Sequence, residues 1–506
     1  VQRNVLPAAC SVVRHRSSFL IVERIIMAKT HPIYLAGEWI ETDTRLDVRN
    51  PYNDEIIGTT FFANADHLEK AIVAAEAVSP LLREMPTFER AGILTRLAAK
   101  VRVERDAIAE LIALEAGKPI RDAEVEADRG VFTIETAAEE AKRIDGEVIP
   151  LDLLPSSKGR FGIVRRFPIG PVAGISPFNF PLNLALHKVA PAIASGNAIV
   201  LKPPTKDPLT MLKIAELLDD CGLPKGALSV LPMDRATGDN LVGDERFKLL
   251  SFTGSPDVGW EMKNRAGLKK VVLELGGNAG VVVDEDSDLE FAANRVRTGA
   301  FAYAGQVCIS VQRVFIHEAV YDQFVELLVA ETKKIVSGDP LDRTVDLGPM
   351  IDDKAAGRTE QWVNDAVAEG ARCLTGGKAQ GRFFEPTIIE GAKPTSFVCS
   401  REAFAPIVTI FKVKSFAEGV AKLNDSVFGL QAGIFTNNLE RALYAFEQTE
   451  AGGVIINDIP TYRIDHMPYG GVKSSGLSRE GIKYTIEDMT EMRLMVVNRL
   501  ASQKVI

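Results

Sequence analysis

Apolar positions recur at helical spacing through 63–83, 87–117 and 118–143, and each of these stretches is predicted as a helix. Between 147 and 166 the pattern changes to short strand-like runs, 147–151 and 162–166, on either side of Pro155-Ser156-Ser157, as in a β-excursion. Beyond Pro168 strand and helix alternate. Strands are expected at 172–175, 198–201, 229–231, 249–252, 271–274 and 281–283, and helices at 182–194, 208–220 and 256–266. Single helices between strands imply βαβ units and a mostly parallel sheet covered on both faces. Such sheets bind ligands at the carboxyl ends of their strands. A second alternating series, 289–457, predicts another α/β domain, and the apolar run 489–498 predicts an edge strand. The predicted fold class is therefore α/β.

Composition narrows the function classes. Lys+Arg total 59 against 68 Asp+Glu, a formal charge of −9, which excludes a basic nucleic-acid binder held by bulk charge. With 46% hydrophobic and 25% charged residues the chain reads as an ordinary soluble globular protein, and its 506 residues suggest about three domains at ~150 residues each. No apolar run approaches the roughly 18 residues a membrane span requires, so no membrane partner is expected. The cysteines (Cys10, Cys221, Cys308, Cys373, Cys399) are scattered, with no C-x-x-C pair. That spacing suits a reducing, cytoplasmic setting without disulfides and predicts no metal site. Residues 1–26 are basic and Ser-bearing. They read either as an organellar targeting segment or, preferably, as an extension translated ahead of a start at Met27, and in neither case as part of the fold.

Several segments carry residues suited to chemistry. Ser251-Phe252-Thr253-Gly254-Ser255-Pro256 runs a strand into a glycine turn and a proline-started helix, placing free N–H groups where a pyrophosphate can sit; it also suits an ordinary βα turn. Lys202-Pro203-Pro204-Thr205-Lys206-Asp207 is a stiff loop presenting two lysines and a hydroxyl at the ligand-binding edge, or a solvated loop capped by Asp207. Pro177-Phe178-Asn179-Phe180-Pro181 offers the Asn179 amide to developing negative charge, although it also reads as a turn. Glu274-Leu275-Gly276-Gly277 ends an apolar strand with a carboxylate that is costly to bury without a function. Cys308, in Gly305-Gln306-Val307-Cys308, follows a helix-like stretch and a glycine, so local N–H groups could favour its thiolate; by itself it could equally be a small buried hydrophobe.

Together with Glu402-Ala403-Phe404-Ala405-Pro406 and Pro468-Tyr469-Gly470-Gly471-Val472-Lys473-Ser474-Ser475-Gly476, these segments closely resemble the NAD(P)-dependent aldehyde dehydrogenase superfamily over nearly the whole chain from Met27. Gly-Gln-Val-Cys-Ile-Ser is similar to lactaldehyde dehydrogenase-like members, which take small hydroxyaldehydes, and the whole chain resembles the lactaldehyde/semialdehyde dehydrogenase-like group. The resemblance implies two α/β domains with parallel sheets: a coenzyme-binding domain at 27–146 and 168–277 and a catalytic domain at 278–473. It also implies small β oligomerisation segments at 147–167 and 474–506, with assembly as a homodimer or homotetramer. It makes Cys308 the nucleophile, Glu274 the general base for thioester hydrolysis and Asn179 an oxyanion donor. Ser176, Phe178, Lys202, Thr205, Gly254, Ser255, Leu275, Glu402 and Phe404 become cofactor contacts.

His187, Arg463, His466 and Tyr469 fall near the implied substrate tunnel, with Ile309 flanking the nucleophile. They suit either an anionic tail or, for Arg463, a solvated rim charge. Two departures stand out. Phe178 occupies a position where the family more often has Trp, and Thr205 one where NAD-preferring members carry Glu. The second removes a charge that repels a 2′-phosphate, so the cofactor is expected to be NADP or NAD, with NADP favoured. The expected reaction is oxidation of a small hydroxyaldehyde or semialdehyde to its acid. A CoA-acylating enzyme, a catalytically inert relative and a Cys-dependent esterase are the alternatives.

Overall fold

Apolar runs that are buried on both faces form the centre of the molecule, which a computed structural model describes over residues 29–499. The 1–26 extension lies outside the described residues. Lys270–Glu274, Leu249–Thr253, Val172–Ile175, Ile199–Lys202 and Leu228–Val230 lie side by side in that order, all parallel. Near-continuous Val, Ile and Leu along these strands is what burial beneath helices on both faces requires. The sheet is finished by antiparallel edges, Gly476–Leu477 on one side and the Ile33–Leu35/Glu38–Ile40 hairpin on the other. The parallel strands begin at Val172–Ile175, wind outward through Ile199–Lys202 and Leu228–Val230, then return to place Leu249–Thr253 on the opposite side of Val172–Ile175. The crevice between the carboxyl ends of those two strands is the topological switch point.

The second series builds a sheet in the order Arg372–Thr375, Thr387–Glu390, Ile407–Val413, Val311–His317, Ala279–Val283, Gln431–Phe435, Gly453–Ile456, parallel except for Arg372–Thr375. The carboxyl-end rule fails for this sheet. Its own switch point, between Ala279–Val283 and Gln431–Phe435, is closed by Asp284, which accepts hydrogen bonds from Thr436 Oγ1 at 2.9 Å and from Arg441 at 2.7 Å. The loop that follows Glu274 and the loop that carries Cys308 instead lead into the amino ends of Ala279–Val283 and Val311–His317. The candidate site therefore lies between the carboxyl edge of one sheet and the amino edge of the other.

The excursion is an antiparallel sheet of Glu147–Pro150, Arg160–Pro168 and Thr490–Asn498, with Pro155–Ser157 in a 3-10 turn. Met492, Leu494 and Val496 alternate along the last strand and stay exposed at 66%, 53% and 52%. Two helical expectations need correction. The predicted helix 87–117 is two helices, Thr87–Val103 and Arg105–Ala116, because Glu104 and Arg105 fall where the buried stripe Leu94, Leu97, Ala98, Val101 would continue. A helix at Arg235–Gly243 was not expected; Asp234 caps it by accepting from the Thr237 N–H at 2.8 Å.

Candidate active site

A cavity of about 720 Å³ opens at the first sheet's switch point. Ser176, Phe178 and Asn179 reach it from the loop after Val172–Ile175, Gly254 and Ser255 from the loop after Leu249–Thr253, and Glu274 and Leu275 from the end of the next strand. Cys308, Glu402 and Phe404 close it from the second sheet's side. Lys202 and Thr205 are not on this wall. Lys202 is partly buried at the end of Ile199–Lys202, where burial pushes its ammonium pKa down against the pull of Asp234. Thr205 is exposed and lines a neighbouring cavity of about 310 Å³ together with Lys206, whose ammonium lies 3.5 Å from Asp352.

A helix N-terminus stands at one end of the cavity. Ser255 precedes helix Pro256–Arg265 and its side chain makes no capping bond, so the first-turn N–H groups point outward uncapped. The buried Ser176 Oγ, on the same wall, has no hydrogen-bond partner among the described residues. Glu402 accepts from the Gly277 N–H at 3.1 Å, and burial pushes its carboxyl up to about 7. A Cβ at position 276 would run into that carboxylate and push it off the Gly277 N–H, so glycine here leaves Glu402 its place. Phe404 is held at φ 50 and meets Phe178 edge to face at 5.8 Å. A bulky side chain at positive φ is strained and persists only where its surroundings fix it.

The loop before Cys308 carries similar strain. Tyr303, Ala304 and Gly305 sit consecutively at φ 48, 52 and 66, and at Gly305 any side chain would strike the Ala405 carbonyl. The Tyr303 hydroxyl donates to the Ala116 carbonyl at 2.7 Å, Ile351 N–H donates to Gln306 Oε1 at 2.8 Å, and Asn179 Nδ2 donates to the Gln306 carbonyl at 2.9 Å. That last bond uses one of the two Asn179 amide protons. Burial pushes the Cys308 thiol up to about 12, against the lowering effect of the Tyr469 hydroxyl 3.1 Å from Sγ.

Behind Cys308 lies a buried charge cluster. Lys188 donates to Glu480 at 3.0 Å and to Thr253 Oγ1 at 2.7 Å. Arg463 pairs with Glu480 at 3.3 Å and approaches Asp465 at 3.8 Å. Asp465 also accepts from Arg129 at 2.6 Å, Asn183 at 2.9 Å and His187 at 2.9 Å. Arg463 is only 6% exposed, so it is not a solvated rim charge. Burial pushes His187 down, keeping it neutral at neutral pH. Neither Glu274 oxygen has a partner among the described residues; burial, then the neighbouring Glu480 charge, holds this carboxyl well above the usual range. His187, Arg463 and Tyr469 are absent from the wall of the large cavity, and Tyr469 links them to it through Cys308. Sequence reasoning missed Lys188, Glu480, Arg129 and Asp465. A lysine inside the apolar helix Asn183–Ser195 was a visible signal, whereas the others leave none.

The aldehyde dehydrogenase family model matches residues 39–495. The chain belongs to that family. This aldehyde dehydrogenase is 44% identical to a 3-sulfolactaldehyde dehydrogenase of Priestia aryabhattai over 94% of its own length and 99% of that relative. Its structure matches aldehyde dehydrogenase 21 from Physcomitrella patens, solved in complex with the reaction product succinate, at TM-score 0.93 and 45% identity, covering 94% of this chain and 100% of the other. It also matches a glyceraldehyde-3-phosphate dehydrogenase from Methanocaldococcus jannaschii complexed with NADP, at TM-score 0.86 and 38% identity, covering 90% and 99%. Among the described residues no helix is long and apolar enough to cross a membrane.

Proposed function

We propose that this enzyme oxidises a small hydroxyaldehyde or semialdehyde, preferably one with an anionic tail, to its carboxylic acid, with NADP favoured over NAD. The observation that carries the reading is that the Cys308 thiol, the Glu274 carboxyl and an uncapped helix N-terminus open onto one cavity. Gly254 and Ser255 would hold the pyrophosphate, with Ser176, Phe178 and Leu275 along the path. Lys202 and Thr205 would take the adenosine ribose, Glu402 the nicotinamide ribose and Phe404 the nicotinamide ring. Residues 27–146 and 168–277 thus serve the coenzyme and 278–473 the chemistry. When bound, the oxidised nicotinamide supplies the hydride acceptor. The Cys308 thiolate adds to the aldehyde carbon, and the resulting oxyanion is held by the free Asn179 amide proton and the Cys308 N–H. Glu274 takes a proton from the water that hydrolyses the Cys308 thioester, releasing the acid and returning the thiol.

Arg463, buried against the Tyr469 ring that touches Cys308, favours an anionic tail, as do a relative named for sulfolactaldehyde and one bound to succinate. The test is reduced-nicotinamide absorbance with lactaldehyde, glycolaldehyde, succinic semialdehyde, sulfolactaldehyde and a phosphorylated aldehyde. Highest kcat/KM on the anionic aldehydes supports the reading, and a preference for neutral ones removes the tail assignment. Added CoA should leave the rate unchanged.

Cofactor choice gives a separate prediction. With threonine at 205, no carboxylate stands there to repel a 2′-phosphate. Thr205→Glu should lower kcat/KM for NADP relative to NAD on the order of tenfold or more. Equal or better turnover of the parent enzyme with NAD at subsaturating cofactor would contradict the preference.

We also propose that 147–167 and the last described strand, Thr490–Asn498, pack between copies in a dimer or tetramer, which would cover the alternating Met492, Leu494 and Val496 face. Sedimentation should give at least twice the 55.1 kDa chain mass. Met492→Glu with Leu494→Glu should reduce it toward that value, and a monomeric parent would end the assignment.

A further inference from the structure

Tyr469 is mounted with unusual rigidity for a residue at a cavity margin. Its backbone forms an antiparallel bridge with Glu480, Tyr469 N–H donating at 2.9 Å and Glu480 N–H returning at 2.6 Å. The carboxylate of that same Glu480 holds Arg463 and Lys188. Arg463 lies over the Tyr469 ring, its guanidinium carbon 3.7 Å from the centroid. Ile309 and Leu430 pack against the ring, with Val307 and Cys308 beside them. The ring is 3% exposed, and the hydroxyl is presented to Cys308 Sγ at 3.1 Å.

As a thiol, Cys308 could donate to or accept from this hydroxyl. As a thiolate it carries no proton, so the only arrangement left is O–H donating to S⁻, and a hydrogen bond to an ionised acceptor is the stronger one. The contact therefore favours the ionised form. A cation on the face of a phenol draws electron density from the ring and makes its O–H a better donor, so Arg463 reinforces this preference without touching the sulfur.

From this geometry we propose that Tyr469 is a further catalytic residue whose hydroxyl, strengthened by Arg463, donates to the Cys308 sulfur and stabilises the thiolate that attacks the aldehyde. The inference rests on the assignment of Cys308 as nucleophile. It adds that readiness of the thiol is set by a tyrosine hydroxyl.

The test uses the full-length enzyme and Tyr469→Phe, which keeps the ring, the Arg463 stack and the backbone bridge. Iodoacetamide modification of Cys308, followed by peptide mass so that Cys221, Cys373 and Cys399 do not contribute, is measured against pH. The expected result is about tenfold slower modification of the variant at each pH across the stable range, both rates rising with pH, with the thermal midpoint unchanged. The pre-steady-state acylation rate should fall by a similar factor. A variant profile that superimposes on the parent, or lies above it, overturns the proposal even if turnover falls, because slower turnover alone would reflect packing. Cys308→Ala separates the two layers. If that variant keeps turning over, the nucleophile assignment fails and this inference with it. If it is inactive while Tyr469→Phe titrates like the parent, only the role of Tyr469 is lost.

Discussion

Replacing Cys308 by alanine is expected to lower aldehyde turnover by roughly 10⁴-fold or more while leaving nucleotide affinity within about twofold of the parent. Covalent catalysis has no substitute in this cavity. Cys308 is the one cysteine on its wall among the described residues, and Cys221, Cys373 and Cys399 are placed elsewhere. The substitution should leave the loop intact. Its strained backbone is fixed by Tyr303, Gln306 and Asn179, none of which depends on the thiol. Loss of turnover with nucleotide titration unchanged would separate chemistry from binding, and the same variant should lose any esterase side activity. A variant retaining more than about a tenth of parental turnover would remove the covalent mechanism, since no partial nucleophile remains to explain it.

Glu274→Gln should have a different kinetic form. Acylation does not need this carboxylate, so one equivalent of reduced nicotinamide per active site should appear rapidly. Steady-state turnover should then fall by about 10²- to 10³-fold as the thioester persists. Mass measurement of the stalled enzyme should find the acyl group on Cys308. The pH dependence fixes the sign of the effect. Burial and the neighbouring Glu480 charge raise the Glu274 carboxyl well above the usual range. It is therefore protonated, and useless as a base, below that raised value, and deacylation should speed up as pH rises through it. The Cys308 thiol is raised as well, so acylation also speeds up with pH. Single-turnover and steady-state measurements tell the two apart, and only the steady-state limb should flatten in the glutamine variant. A full-rate steady state in Glu274→Gln would reassign the base.

The sequence carried the parallel core well, because strands buried on both faces need uninterrupted apolar runs and the chain supplies them. Val172–Ile175 is found at the predicted bounds, and its neighbours shift by one or two residues. The edges were less legible. Gly476–Leu477 is held by antiparallel pairing with Leu273 and Glu274, and no local pattern in so short a strand announces such a partner. Of the site, the residues marked by turn chemistry could be found: glycines that admit a carboxylate, the proline that starts a helix, and the cysteine after a left-handed turn. The buried charges behind them could not. Asp465 is separated by 278 residues from His187 and by 336 from Arg129, and a carboxylate's need for partners says nothing about which distant helix provides them. The same holds for Tyr469, whose hydroxyl reads as a tunnel lining until the structure brings it to the thiol across 161 residues.

The last strand of the β-excursion has a consequence for biosynthesis. Thr490 Oγ1 accepts a hydrogen bond from Arg166 across 324 residues of chain, and the stretch just before that strand supplies the edge of the first sheet, Tyr469, Arg463 and Glu480. A nascent polypeptide therefore has the parallel strands of the first sheet emerge early but cannot complete the surroundings of Cys308 until residues 463–480 have left the ribosome. During that interval Arg160–Pro168 presents an unpaired edge, the kind of surface that recruits chaperones or foreign strands. Chains truncated before Thr490 should accordingly reach the cell as insoluble, inactive material rather than as working enzyme of lower affinity.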